Sequence, residues 1–334
     1  MAPHRHRTAA PRQVARPNPF LEDVLAGLGR RPRSLPSRWF YDSRGSRIFQ
    51  WIANLPDYYL TRVEREIVER HGDDIVSSFA GQRCTVVDLG AGDGHKTRIL
   101  LQRLRGHAPS VTYAPVDVSQ AALDEAALRV RGELPGTEVL PIRAAFGEAL
   151  RELGASDDGV AKLVLFLGSS IGNLEHDEAG GLLREVRAAL RPGDRVLVGF
   201  DLVKPLPLLL SAYDDPQGVT RAFNLNLLAR MNRELGADFD LRGFLHRATW
   251  DPSRPAMESW LESARRQTVT VGGRSFDFER GERIHTEISC KYTVAQVAAF
   301  AAEAGFTEVD LFQDERQWFA DALWRVDDRT DGLA

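Results

Sequence analysis

The spacing of apolar positions divides the chain into stretches of different period. From Pro19 to about Arg70 apolar residues recur at helical spacing in FLEDVLAGL, SRIFQWIANL and TRVEREIVERH. Breaker segments rich in Pro, Gly and aromatics, RRPRSLPSRWFYDSRG and PDYYL, separate these helices. The period then changes. Arg83–Leu89, Val111–Val118 and Ala161–Leu167 are short, apolar, β-branched runs, each followed by a helix-like stretch, and Arg195–Asp201 adds a fourth after the turn LRPGD. Strands alternating with helices predict an α/β fold, a mostly parallel sheet covered on both faces. After Asp201 the alternation breaks. Leu206–Leu210, Val219–Leu235 and Leu241–Leu245 read as helices, and residues 265–289 read as strands about a Gly-Gly turn. A helix at Val294–Glu303 and strands near Thr307–Phe312 and Ala320–Val326 resume it. The long interruption predicts a second domain, residues 19–64 with 202–290, beside a sheet domain of 65–201 with 291–328. Residues 1–18, Arg- and Pro-rich, are expected to be a flexible tail.

Composition narrows the functional classes. The chain has 334 residues, 43% hydrophobic and 27% charged, and a formal charge of −4, the profile of a folded globular protein. A near-neutral balance without a basic tract argues against nucleic acid as a partner. No run of about 18 apolar residues occurs, so no membrane span is expected. Cys84 and Cys290 lie far apart without metal-ligand spacing; neither a disulfide framework nor a metal site is expected, and the reduced cytoplasm is the expected setting. Only four of the 43 basic residues are lysines, Lys96, Lys162, Lys204 and Lys291, which singles each out for inspection.

The first strand ends in DLGAGDG, Asp88 to Gly94, and a helix beginning HKTRILL follows. Glycines at such a turn let the chain fold tightly and let a ligand approach main-chain N–H groups at the helix start. The dinucleotide fingerprint G-x-G-x-x-G does not fit the spacing Gly90, Gly92, Gly94. With Asp88 before the loop and Asp117 closing the second strand, the segment resembles class I, Rossmann-like S-adenosylmethionine methyltransferases. That resemblance implies that Gly90, Gly92 and Gly94 contact the methionine part of S-adenosylmethionine and that Asp117 accepts both ribose hydroxyls. Lys96, just inside the helix, is expected to face the cofactor carboxylate. The segment RAAFGE puts Ala145 and Phe146 where Asp-Phe is common, so Phe146 is carried as a cofactor neighbour and the adenine amino group lacks its usual side-chain partner. The loop after Ala161–Leu167 reads GSSIGN, Gly168 to Asn173, without the proline pair and aromatic used to grip a flipped base.

The segments SRWFYDSRGSRIF (37–49), LPDYYLTRVEREI (55–67), LGSSIGNL (167–174), FDLVKPL (200–206), 212–235 and TEISCKY (286–292) resemble the ergothioneine-pathway histidine Nα-methyltransferases, which trimethylate L-histidine to hercynine. The resemblance covers most of residues 35–325. It implies a free amino acid as the small-molecule substrate, with Tyr58, Asn173 and Tyr213 holding its amino and carboxylate groups, Tyr41 and Phe49 walling the pocket, and Gly168 contributing backbone near the amine. Glu287 and Ser289 correspond to the pair that reads the imidazole, and their i, i+2 spacing puts both on one strand face. Ser259 falls where the family often has Met above the imidazole, and the loop LGAGDGHKT departs from the form LGSGxxxKT. A smaller polar wall leaves another amino acid, such as Trp or Tyr, as an alternative acceptor. A non-catalytic sensor of amino acid or S-adenosylmethionine is the alternative outside enzymes. A monomer is expected.

Overall fold

The structure, a computed structural model, describes residues 18–155 and 159–327, so the predicted tail lies outside it except for Asn18. Asn18 is a helix cap: its side chain accepts from the Leu21 N–H at 3.3 Å and opens α1 (Pro19–Gly29). In chain order there follow β1 (Arg33–Ser34), α2 (Ser43–Ala53), α3 (Tyr59–Val76), β2 (Cys84–Leu89), α4 (His95–His107), β3 (Val111–Asp117), α5 (Gln120–Glu133), β4 (Glu138–Val139), β5 (Ile142–Arg143), α6 (Phe146–Ala155), β6 (Ala161–Phe166), α7 (His176–Ala189) and β7 (Arg195–Asp201). Then come α8 (Leu206–Tyr213), α9 (Val219–Leu235), β8 (Phe244–Asp251), β9 (Ala256–Ser263), β10 (Gln267–Val271), β11 (Arg274–Phe278), β12 (Arg283–Cys290), α10 (Val294–Ala304), β13 (Thr307–Gln313) and β14 (Phe319–Arg325).

The large sheet runs β13-β14-β7-β6-β2-β3-β4, with β5 also on β3. β7, β6, β2 and β3 pair in parallel and β14 pairs antiparallel with both its neighbours, so β14 is the reversed strand. These strands are near-continuously apolar because helices bury both faces. One face packs with α3 and α4 around Ile67, Val86, Leu101 and Leu165, the other with α7 and α10 around Val164, Leu183, Val198 and Phe300.

A second sheet, β1-β12-β9-β8, and the hairpin β10-β11 about Gly272–Gly273 pack with α1, α2 and α9 in a separate core. Phe40, Ile52, Phe223, Leu227, Leu261 and Phe278 fill it. Two sequence readings are corrected here. Leu241–Leu245 is a short 3₁₀ turn, Leu241–Gly243, that runs into β8, and the region between α9 and the hairpin holds two long strands where no strand was expected. The helix α3 also runs through the expected domain boundary at residue 64, and Tyr59 to Val76 packs as a unit in the large-sheet core.

Candidate functional site

The glycine turn lies at the carboxyl end of the large sheet, where open α/β sheets bind ligands. Gly90, Gly92 and Gly94 all have positive φ (76°, 54° and 67°), and Gly94 caps α4. Gly90 and Ala91 donate their N–H groups to the Val116 carbonyl at 2.8 and 3.3 Å, tying the turn to β3. A Cβ at Gly90 would lie 3.5 Å from the Phe146 ring and 3.9 Å from Ser170 Oγ, so the missing side chain leaves a cradle between the turn, α6 and the end of β6. Asp88 is buried beneath the turn. Its Oδ2 accepts from Thr97 Oγ1 at 2.6 Å and from the Tyr113 hydroxyl at 3.0 Å, so it acts by anchoring β2, β3 and α4 together. Burial pushes its carboxyl up to about 6 despite those two donors.

Asp117 closes β3 beside the same turn. Ser119 N–H donates to its Oδ1 at 2.8 Å. Burial raises its pKa, opposed by the N–H groups of Ser119, Gly92 and Val118. Lys96, expected to face the cofactor carboxylate, has a carboxylate of the protein itself as its partner. It forms an ion pair with buried Glu64, whose Oε1 accepts from the Gly168 N–H at 2.6 Å. With its N–H so engaged, Gly168 keeps its carbonyl as the group that can accept from an amine.

The fully buried Asp321 completes that cluster. Its carboxylate oxygens have no hydrogen-bond partner, and burial with the neighbouring Glu64 charge drives its pKa well above the ordinary value. A folded pKa above the unfolded one means the fold favours the protonated form, so this group's stabilisation is present below about pH 4 and is lost as pH rises. Asp321→Asn cannot ionise. It is expected to melt above the wild type by about 2 °C or more at pH 8, with a smaller difference at pH 5, in thermal unfolding at the two pH values. A gain equal at both would place Asp321 in its ionised form throughout.

Above the cradle stand the aromatic residues. Tyr41 and Phe49 meet edge to face at 5.7 Å, Phe49 and Tyr58 at 6.2 Å, and Tyr58 and Tyr213 at 6.5 Å. Phe223 of α9, which sequence reasoning missed, closes the set at 5.7 Å from Tyr41 and 5.8 Å from Phe49. Burial is the main cause that raises the phenols of Tyr41, Tyr58 and Tyr213, so all three are neutral donors near neutral pH. The Tyr41 phenol also feels the charges of Glu287 and Asp117.

The second sheet supplies the opposite wall. In its antiparallel register Glu287 lies across from Ser259, and Ser289 across from Met257, so the four side chains share a face. Ser259 Oγ donates to Glu287 Oε2 at 3.4 Å. Burial raises the Glu287 carboxyl to about 7, opposed by the Lys291 charge and by Ser259. The Tyr213 hydroxyl lies 2.7 Å from Ser289 Oγ, which joins this wall to the aromatic box. The apolar wall found wanting at Ser259 is present at Met257, buried on that face; the strand register, not the spacing alone, reveals it.

Asn173 ends the 3₁₀ turn Ser170–Asn173 after β6. A Cβ on Gly172 would lie 3.0 Å from the Cys290 carbonyl oxygen and 3.4 Å from its nitrogen, so the turn is seated on β12 itself. Gly168 and Ser169 are consecutive residues at positive φ (76° and 53°), and Ser169, which has a Cβ, carries the strain characteristic of functional turns. Its Oγ accepts from the Asp201 N–H at 3.1 Å, fixing the turn to β7. The cradle, the box, the Asn173 turn and the Glu287 face thus converge. Among the described residues no group of three or more His, Cys, Asp or Glu is placed to hold a metal ion, and no helix is long and apolar enough to cross a membrane.

The sheet order with one reversed strand, the glycine cradle and the carboxylate at the tip of the neighbouring strand define a class I S-adenosylmethionine-dependent methyltransferase. The family model described as histidine-specific methyltransferase, SAM-dependent, matches residues 20–326, and the chain belongs to that family. It is 41% identical to the histidine N-alpha-methyltransferase of Mycobacterium tuberculosis over 88% of this chain and 90% of that protein. The enzyme of the same name from Mycolicibacterium smegmatis is 41% identical over 87% of this chain and 90% of its own length. Ergothioneine biosynthesis protein 1 of Schizosaccharomyces pombe is 29% identical over 84% of this chain and 37% of that longer protein.

Proposed function

We propose that the enzyme methylates the α-amino nitrogen of L-histidine, three times in all, to give hercynine for ergothioneine biosynthesis. The observation that carries the substrate is the Glu287–Ser289 face opposite an aromatic box. A carboxylate and a hydroxyl about 7 Å apart along one strand offer an acceptor and a donor to the two nitrogens of a flat ring held edge-on between aromatic walls. Family membership and the names of the two mycobacterial relatives support the same reading. Met257 supports the same reading, because it puts a buried apolar side chain on the face that Glu287 and Ser289 share.

Gly90, Gly92, Gly94 and Phe146 would hold the methionine and adenosine parts of S-adenosylmethionine, Asp117 the ribose, and Asp88 the turn itself. The cofactor supplies a methyl group on a sulfonium, open to in-line displacement. The protein's work is to bring an unprotonated amine into line and to exclude water. Asn173 can accept from the amine through its carbonyl oxygen and donate to the carboxylate through its NH₂. Tyr58 adds a neutral donor that does not repel a sulfonium, Tyr213 adds a neutral hydroxyl beside it, and the Gly168 carbonyl can accept from the amine. A site beside a sulfonium disfavours a second cation, so the amine binds neutral and sheds its proton to water before each transfer. We further propose that the second-sheet core forms the substrate domain and that the enzyme acts as a monomer in the cytoplasm.

The direct test is incubation of the protein with S-adenosylmethionine and each of the twenty amino acids, with products read by mass spectrometry. Trimethylated histidine is the expected product. Turnover of a different amino acid without turnover of histidine would remove the assignment.

A further inference from the structure

Lys291 follows Ser289 by two positions, just past the end of β12, and the proposed function gives it no task. Its side chain is fully buried. The ammonium lies 2.8 Å from Asp201 Oδ2, 2.8 Å from the Tyr213 hydroxyl and 2.8 Å from Ser289 Oγ. Asp201 is itself buried and held by the Tyr59 hydroxyl, at 2.7 Å from Oδ2, and by Lys204. Such a charge would be costly in an apolar interior unless paired and fully hydrogen-bonded, and here it is both.

The donor count has a consequence for the pocket. An ammonium has three N–H groups and no lone pair, and three partners take all three. Each hydroxyl therefore receives a hydrogen from Lys291 and cannot donate back to it. The Tyr213 and Ser289 hydroxyls are 2.7 Å apart and carry one hydrogen each, but only one hydrogen fits between them. The second must point away from the pair, where an acceptor outside it can take that hydrogen. A lysine replaced by an acceptor, or by nothing, would let that hydrogen turn inward.

We propose that Lys291 is a positioning residue that makes the Tyr213–Ser289 pair an obligate hydrogen-bond donor toward the substrate ring. The pocket then reads a neutral imidazole, its unprotonated nitrogen on the hydroxyl pair and its N–H on Glu287. The proposal rests on the histidine reading and specifies the form of the ring that is bound. The buried ammonium also repels an imidazolium, which reinforces the same choice. Lys204, by contrast, serves Asp201 and Tyr59 and does not touch the hydroxyl pair.

The test compares L-histidine with β-(2-thienyl)-L-alanine, whose ring is similar in size but has neither nitrogen. Affinities are measured by calorimetry with S-adenosylhomocysteine bound, alongside kcat and KM. Lys291→Met is expected to reduce the preference for histidine by about tenfold or more. The loss should appear in KM and in histidine affinity, with thienylalanine and S-adenosylhomocysteine binding changed by no more than about twofold. Lys291→Gln, which keeps an NH₂ donor, should recover part of the preference. Equal loss for both amino acids, or an unchanged preference, overturns the proposal. Should Lys291→Met fail to bind S-adenosylhomocysteine, Lys291→Gln is added to Ser289→Ala: no loss of preference beyond that of Ser289→Ala alone is expected, and full additivity overturns the proposal. A wild type that leaves histidine unmethylated removes the function reading and this proposal with it, whereas histidine turnover with an indifferent Lys291 removes the proposal alone.

Discussion

Replacement of Glu287 with alanine is expected to lower kcat/KM for L-histidine by about a hundredfold or more while S-adenosylhomocysteine affinity stays within about twofold. A charge-assisted hydrogen bond to a ring N–H contributes about 1.5–3 kcal/mol, and its removal also leaves that N–H unpaired in a closed pocket. Steady-state kinetics and calorimetry on the same variant give both numbers. Equal losses of histidine use and cofactor affinity would put Glu287 outside the ring site. Its pH behaviour follows from burial. With the carboxyl raised to about 7, the acceptor form is lost as pH falls through neutrality, and kcat/KM should fall with it. Glu287→Gln cannot titrate, so its acid limb should move down to the ordinary imidazole range of histidine, roughly 6.5.

Asp117→Ala should show the opposite pattern, with S-adenosylhomocysteine bound about a hundredfold more weakly and the KM for histidine, at saturating donor, changed by no more than about threefold. One carboxylate can accept from two neighbouring hydroxyls. Asp117 is half-buried at the tip of β3, with the Ser119 N–H already on Oδ1 and the Gly92 and Val118 N–H groups favouring its charge. Asn at this position keeps one acceptor and should lose about tenfold. Calorimetric titration decides it, and full cofactor affinity in Asp117→Ala would assign the ribose to other groups. Tyr41 feels both Asp117 and Glu287, and the crossed pattern of the two variants is the expected signature of two ligands bound side by side.

How much of this was legible in the chain varies from element to element. The strands β2, β3, β6 and β7 and the glycine turn could be read directly, because a strand buried on both faces must be a short apolar run and a tight turn at a ligand must be glycine. β8 and β9 could not. Their inward faces carry His246, Ser259 and Ser263 among the apolar residues and their outward faces carry Trp260, so the period-two hydrophobic signal is broken. The helix expected at Leu241–Leu245 failed for the same lack of a local signal. Tyr41, Phe49, Tyr58, Asn173, Tyr213, Glu287 and Ser289 were named from motifs, and the structure brings them together from both cores. Met257 required the β9–β12 register, since only the pairing shows which residue shares a face with Ser289.

The four lysines show where the division falls. The sequence by itself determined that they were few, and that Lys96, Lys204 and Lys291 lay within the family-like segments. Only the tertiary structure decided what each does: Lys96 neutralises Glu64, Lys204 braces Asp201, and Lys291 holds Tyr213 and Ser289. The physical reason is that local patterns record which face of an element is apolar. A buried charge is instead defined by its partners, and those of Lys291 come from β7, α8 and β12, elements that only the fold brings within hydrogen-bonding distance.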